Sequence, residues 1–193
     1  MPELVQPHVR YHHSFVAAVD EIQAAGESDS NAGLWLIPMV DGVEEETVRR
    51  DQLVPPAGFA RFVERLRALA DPETPVPDGI VHSTHLWWVE DDEYLGRVSI
   101  RHHLTPWLRD FGGHIGYVVR PSARRKGHAT AMLAASLPWA RALGIENALV
   151  TCDDTNEPSR KVIEACGGVF DDQREQKLRY WIATGDDVGI AAG

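Results

Sequence analysis

Four cations crowd into seven positions of an otherwise acidic chain: Arg120, Arg124, Arg125 and Lys126, inside "YVVRPSARRKGHATAML" (Tyr117 to Leu133). The 193 residues carry 29 acidic against 19 basic side chains, a net charge of −10. Gly127 and a run with helical spacing follow the island at once. A strand, a short glycine-bearing loop and a helix start aim several unpaired backbone N–H groups at one point, and the helix dipole adds positive potential there. The natural guest is a compact anion, phosphate above all. Gly127 lets the backbone approach such a group, Ala129 keeps the first helical turn open, and Arg124, Arg125 and Lys126 supply mobile counter-charge.

The common nucleotide cradles do not fit, since neither G-x-x-x-x-G-K-[ST] nor a G-x-G-x-x-G after a strand is present. The stretch reads instead as V-x-P-x-x-R-x-x-G-x-A, from Val119 through Pro121, Arg124 and Gly127 to Ala129. It resembles the pyrophosphate-binding motif R/Q-x-x-G-x-G/A of the GNAT family of acetyl-CoA-dependent N-acetyltransferases. The resemblance extends over about residues 85 to 170, through "NALVTC" and "DTNEPSRKVIEACGG". "GGHIGY" with "RRKGHA" is also similar to a bacterial branch of predicted acetyltransferases. It implies a GNAT fold: a mixed, mostly antiparallel sheet whose fourth and fifth strands splay apart between helices. Acetyl-CoA would be the co-substrate, with no metal. The amides of Arg125, Lys126, Gly127, His128, Ala129 and Thr130 would wrap its pyrophosphate. Val119 and Tyr117 would bond the pantetheine as an added strand, with Asn156 and Ser159 on the same arm. A backbone N–H at Val118 or Val119 would polarise the thioester carbonyl.

The implied reaction is direct attack of a primary amine on the thioester in a ternary complex, which requires the ammonium to lose a proton. His114 titrates near neutrality and is a candidate base, although strand alternation sets it on the face opposite Val119; a structural histidine is the equal alternative. Ile163 stands where many family members carry the tyrosine that protonates the leaving thiolate. Tyr117, Tyr94, Cys166 or water remain as substitutes. Asn156 could cap a helix and still hold the pantetheine. His102 and His103 are adjacent, so only one can face a site, and each reads as structural. "GLWLIPMVDGVEEE" and "HLWWVEDDEY" put aromatics beside carboxylates, which would suit a cationic amine. The simpler reading makes Trp87 and Trp88 a half-buried strand pair and Glu44 to Glu46 a solvated run.

The elements that must hold these groups follow from periodicity. "PHVRYHHSFVAAVDEIQAAG" (7–26) and "FARFVERLRAL" (59–69) carry helical apolar stripes, with "ESDSNAG" (27–33) as loop. "DPETPVPDG" is a connector. "THLWWVED" and "EYLGRVSIRHHL" flank an Asp91–Asp92 turn as a hairpin, and "GHIGYVVR" is a third strand. A helix to Gly144 follows, which Pro138 should kink. Then come the strand "NALVTC", the short helix "EPSRKVIEAC" and the strand "KLRYWIA". The order from residue 85 is β-β-β-α-β-α-β, with one right-handed crossover joining "GHIGYVVR" to "NALVTC".

One domain over residues 1–183 is expected, with 1–80 as an N-terminal strand and helices on the acceptor side, 85–183 as the cofactor core and 184–193 as a frayed tail. The opening "MPELVQPHVR" lacks the basic, apolar-cored pattern of a leader, and no uncharged run reaches the ~18 residues of a membrane span. Cys152 and Cys166 form neither a disulfide framework nor a zinc pattern and read as buried thiols. A cytoplasmic protein is expected, monomer or homodimer, with a small-molecule or protein amine as partner. The acidic balance argues against nucleic acid. The rival reading is a non-catalytic acyl-CoA-binding or regulatory module.

Overall fold

Alternation along one hairpin sorts this protein into two cores. The computed structural model describes residues 1–28 and 48–185. Strand β1 (Glu3–Val5) precedes helix α1 (His12–Ala24), the single turn α2 (Arg50–Leu53) and helix α3 (Pro56–Ala68). The hairpin β2 (Ser83–Glu90) and β3 (Glu93–Arg101) and strand β4 (Ile115–Val119) follow. They lead into α4 (His128–Ala142), β5 (Asn147–Asp153), α5 (Glu157–Ala165), β6 (Val169–Arg174) and β7 (Lys177–Ala183). Among the described residues all strand pairs are antiparallel, so the expected mixed sheet is instead two antiparallel sheets, ordered β1-β2-β3-β4 and β5-β7-β6.

Side chains on successive strand residues point to opposite faces. Leu86, Trp88, Val98, Ile100, Ile115 and Val119 therefore share one face and pack on Met132, Leu133 and Leu137 of α4. Trp87, Val89 and Tyr94 turn the other way, onto Phe15 of α1 and Phe59 and Phe62 of α3. Trp87 and Trp88 form the expected strand pair but are both buried rather than half-buried, each in a different core. The motif "GLWLIPMVDGVEEE" and most of "ESDSNAG" lie outside the described residues, as does the tail from 186.

The expected hairpin, third strand, helices and last strand all form. The short β1 is the strand expected within residues 1–80; the single turn α2, the edge strand β6 and a wide helical turn at Leu108–Gly112 ahead of β4 were not foreseen. α4 runs through Pro138 as one helix of 15 residues. β4 and β5 belong to different sheets and meet at one end only. There the His114 N–H donates to Leu149 O at 2.6 Å, and the Leu149 N–H donates to His114 Nδ1 at 2.9 Å. Gly113 makes the approach possible: its φ is +65°, and a Cβ would lie 2.6 Å from Leu149 O. From that seam the strands diverge.

Arg120 ties the two cores together. Only 7% of its side chain is exposed, and its guanidinium bonds the Glu21 carboxylate of α1. It also donates to Tyr94 O at 3.0 Å, Ser14 Oγ at 3.2 Å and Glu93 Oε1 at 3.3 Å. A buried charge is tolerable when compensated this completely.

Candidate active site

The basic island divides into two structural pairs and two free-standing cations. Arg120 belongs to Glu21, as above. Arg124 is gripped by Glu27, at 2.6 Å from Nη1 to Oε1 and 3.0 Å from Nη2 to Oε2, and its Nε donates to Val119 O at 2.9 Å. It is a brace between the loop and the end of α1, not the mobile counter-charge that its position in the sequence suggested. Arg125 and Lys126 remain exposed on the loop. Arg125 has φ +60° and Gly127 φ +82°, so the chain makes two left-handed steps before α4. Consecutive turns of this kind point successive amides to one side.

No side chain caps the N-terminus of α4, and no carboxylate sits in its first turn. The first intrahelical bond there is from Ala131 N–H to Gly127 O, so the amides of His128, Ala129 and Thr130 are outside the helical ladder. A left-handed loop, an uncapped helix of 15 residues and two exposed cations suit a diphosphate. The His128 ring is held from behind, because the indole of buried Trp88 donates to its Nδ1 at 3.2 Å.

The edge of β4 offers a second docking surface. Arg101 N–H donates to His114 O, and Arg120 N–H donates to Leu95 O. In the antiparallel pattern, even-numbered residues of β4 therefore address β3, while the amides of Tyr117 and Val119 face the splay. The Val119 carbonyl is already taken by Arg124, which leaves its N–H for a ligand.

A cavity of about 720 Å³ opens where β4 and β5 part. Tyr117, Cys152, Asn156 and Ser159 line it toward α5; Gly116, Val118, Ser99, Arg97 and Arg101 line it toward the helices of the first half. The Asn156 carboxamide caps α5, accepting from Ser159 N–H at 3.1 Å, so the expected capping role is real. The Ser159 hydroxyl lies 2.8 Å from the Tyr117 hydroxyl. Burial raises the Tyr117 phenol to about 12, against a smaller opposing effect of the Ser159 bond. Cys152 and Cys166 are free, buried thiols, both raised by burial, Cys166 to about 11.

His114 is not among the residues that line this cavity. Its Nδ1 is engaged by Leu149 N–H, and burial, followed by the charges of Arg109 and Arg101, lowers it to about 4. Ile163 is fully buried in the core. Tyr94 is buried among aromatic rings of the other core. His102 bonds Thr84 Oγ1 at 2.9 Å, a structural placement.

The residues missed in the sequence are those on the cavity face of β2 and β3: Ser83, His85, Arg97, Ser99 and Arg101. Their alternate spacing was the available signal, a polar file in strands otherwise rich in apolar residues. His85 Nε2 lies 3.0 Å from Ser83 Oγ. Burial, then the charges of Arg97 and Arg101, pushes this imidazole down to about 3.

The profile of the acetyltransferase (GNAT) domain matches residues 44–169, and the chain belongs to that family. Among solved structures, it is similar to Mycobacterium smegmatis RimJ in complex with a CoA disulfide, at 23% identity and TM-score 0.62 over 94% of this chain and 81% of that one. It is also similar to the ribosomal-protein-S5-alanine acetyltransferase from Vibrio fischeri, at 16% identity and TM-score 0.62, covering 97% and 94%. The microcin C7 self-immunity acetyltransferase MccE, in complex with acetyl-CoA and AMP, shares 13% identity at TM-score 0.59, covering 94% and 92%. At these identities the likeness establishes the GNAT fold. No curated protein matches the chain in sequence. Among the described residues, no helix is long and apolar enough to cross a membrane.

Proposed function

We propose that this protein moves an acetyl group from acetyl-CoA to a primary amine by direct attack in a ternary complex. The observation that carries the reading is a cavity with walls on both sides of the β4–β5 seam. Its α5 side presents groups suited to an acyl carrier, and its β3 side is separate ground for an acceptor. The loop amides from Arg125 to Thr130 would hold the pyrophosphate, and the β4 edge at Tyr117 and Val119 the pantetheine. Acetyl-CoA would supply an activated carbonyl, and Val118 or Val119 would polarise it, the splay-facing Val119 N–H being the better donor.

The acceptor ammonium must lose a proton before it attacks, and cavity water is the carrier this reading assigns, since His114 is engaged at the seam outside the cavity. At the other end, the Tyr117 hydroxyl, which lines the cavity beside Ser159, would steady the departing sulfur. A phenol near 12 does not surrender its proton to a thiolate whose acid has a pKa of about 8.5, so its contribution is a hydrogen bond and not full transfer.

One observation favours a non-catalytic acyl-CoA-binding module, namely core-buried Ile163 at the family's tyrosine position. Release of free coenzyme A on addition of amines separates the two. Amine-dependent release supports transfer; tight acetyl-CoA binding with no release for any amine supports the module.

A further inference from the structure

The end of the cavity remote from the diphosphate loop carries an apolar slot. Strand β4 has that loop after Val119 and the wide helical turn Leu108–Gly112 before Ile115. An acyl carrier held at the loop and along the β4 edge would present its thioester toward the turn. Trp107, Leu108 and Phe111 line the cavity from the turn. Leu69, Ile80 and Val81 line it from the end of α3 and the segment that enters β2. Strand pairing makes these two groups neighbours. Ser83 lies opposite Arg101, and His102 N–H donates to His82 O at 2.9 Å, so the chain ahead of β2 and the chain after β3 leave the sheet side by side.

Trp107 is 56% exposed, whereas Leu108 beside it is buried. An indole left so open forgoes much of the burial that an aromatic side chain ordinarily gains. The turn that carries it is nevertheless fixed on several sides. The Thr105 hydroxyl accepts from Leu108 N–H at 3.2 Å, and Thr151 of β5 donates to Phe111 O at 2.7 Å. Arg101 of β3 donates to Gly112 O at 3.0 Å and Gly113 O at 3.1 Å, and Asp110 pairs with Arg174 of β6. The indole lies against Gly112, where a Cβ would stand 3.0 Å from Trp107 Cζ3. Its ring centroid is 6.0 Å from that of Phe111. A large ring held at a cavity rim by a rigid turn is a preorganised contact, in place before a ligand arrives. Wide helical turns recur at functional sites.

Resting on the acetyl-transfer reading above, we infer that the acceptor amine carries an apolar body, aromatic or branched aliphatic. That body lies between Trp107 and Phe111 on one side and Ile80 and Val81 on the other, while the amine faces β4. An aromatic ring can stack on or meet the edge of the indole, and branched carbons fill the facing wall, so shape as well as area selects the occupant. The aromatics that serve are not those the sequence set beside carboxylates, since Trp87 and Trp88 are packed in the two cores.

The test uses the full-length protein and primary amines with uncharged bodies. 2-Phenylethylamine, 3-methylbutylamine and 3-aminopropanol are compared by coenzyme A release, and acetyl-CoA affinity is measured separately by calorimetry. The two apolar amines are expected to exceed the alcohol in kcat/KM by roughly ten- to a hundredfold, the worth of burying one such side group. Trp107→Ala should shrink that advantage, mainly through KM for the apolar amines, and Trp107→Phe should keep most of it. Ile80→Ser on the facing wall should shrink it as well, which keeps the test open if Trp107→Ala loosens the turn. An alcohol turned over as well as the apolar amines, or an advantage untouched by both Trp107→Ala and Ile80→Ser, would overturn this inference alone. So would sedimentation in which Trp107→Ala converts a dimer to a monomer while the amine preference stays, since a second copy would then be the occupant. Acetyl-CoA bound with no turnover of any amine, or not bound at all, would overturn it together with the transfer reading.

Discussion

The Nδ1 of His114 accepts the backbone amide of Leu149 at 2.9 Å, at the point where β4 and β5 begin to part. With Nδ1 so engaged, the neutral ring carries its proton on Nε2, and protonating Nδ1 would break the seam. Burial lowers His114 from 6.5 to about 4, so the unfolded chain binds the proton first on acidification. The stability due to the neutral ring is complete above pH 6.5 and is lost as the pH falls toward 4. Unfolding midpoints should fall over that window in wild type and less so in His114→Ala. The variant should be less stable by about 1–3 kcal/mol, the cost of an orphaned buried amide. Its kcat/KM profile should keep its shape between about pH 6 and 9; flattening there would make His114 the base.

Glu21 and Arg120 form a second acid-sensitive joint. Burial raises the Glu21 carboxyl, but the bonds from Arg120 and Ser122 outweigh it and the net shift is downward from 4.5. That stabilisation is present above pH 4.5 and fades as the pH drops through the lower folded value. Arg120→Ala should destabilise by about 1–3 kcal/mol, because it removes the partner of partly buried Glu21 and leaves Tyr94 O without its donor. Chemical denaturation measures this. A change under about 1 kcal/mol would mean that the pair is solvated.

Arg124 and Glu27 permit a test of sign. If Arg124 braces the loop through Glu27, then Glu27→Gln and Arg124→Ala should both weaken acetyl-CoA binding. If Arg124 instead serves as free counter-charge, removing the Glu27 carboxylate should tighten binding, since it deletes negative charge beside the phosphates. Calorimetry on the two variants decides between them.

Tyr117→Phe should lower kcat by roughly ten- to a hundredfold, the loss of one hydrogen bond to developing charge, with acetyl-CoA affinity close to wild type. The phenol near 12 predicts no alkaline limb from this group in the accessible pH range. A limb that appears at lower pH and vanishes in Tyr117→Phe would show that the hydroxyl does titrate in catalysis.

The sequence made the cofactor half legible because its chemistry is local: a strand, a left-handed loop and a helix start occupy the consecutive residues Ile115 to Ala142. The hairpin and β7 were legible by period and turn residues. β6 was not, since "VFDDQR" is largely exposed and carries little apolar alternation. The polar file of β2 and β3 was legible only as an alternation; that His85, Arg97 and Arg101 line one cavity comes from strand pairing, which spacing alone does not display. The charges of Arg120 and Arg124 misled for the same reason, because Glu21 and Glu27 reach them from an element about a hundred positions away.

The most direct measurement is calorimetric titration of acetyl-CoA into wild type, Gly127→Asn and Gly127→Asp. Gly127 sits at φ +82° with open space around its Cα, a backbone state that Asn and Asp both tolerate better than other residues, so the pair differs chiefly in charge. The account predicts micromolar binding to wild type, modest weakening in Gly127→Asn and loss in Gly127→Asp, where a carboxylate meets the diphosphate. Equal affinity in all three would place the cofactor elsewhere and contradict it.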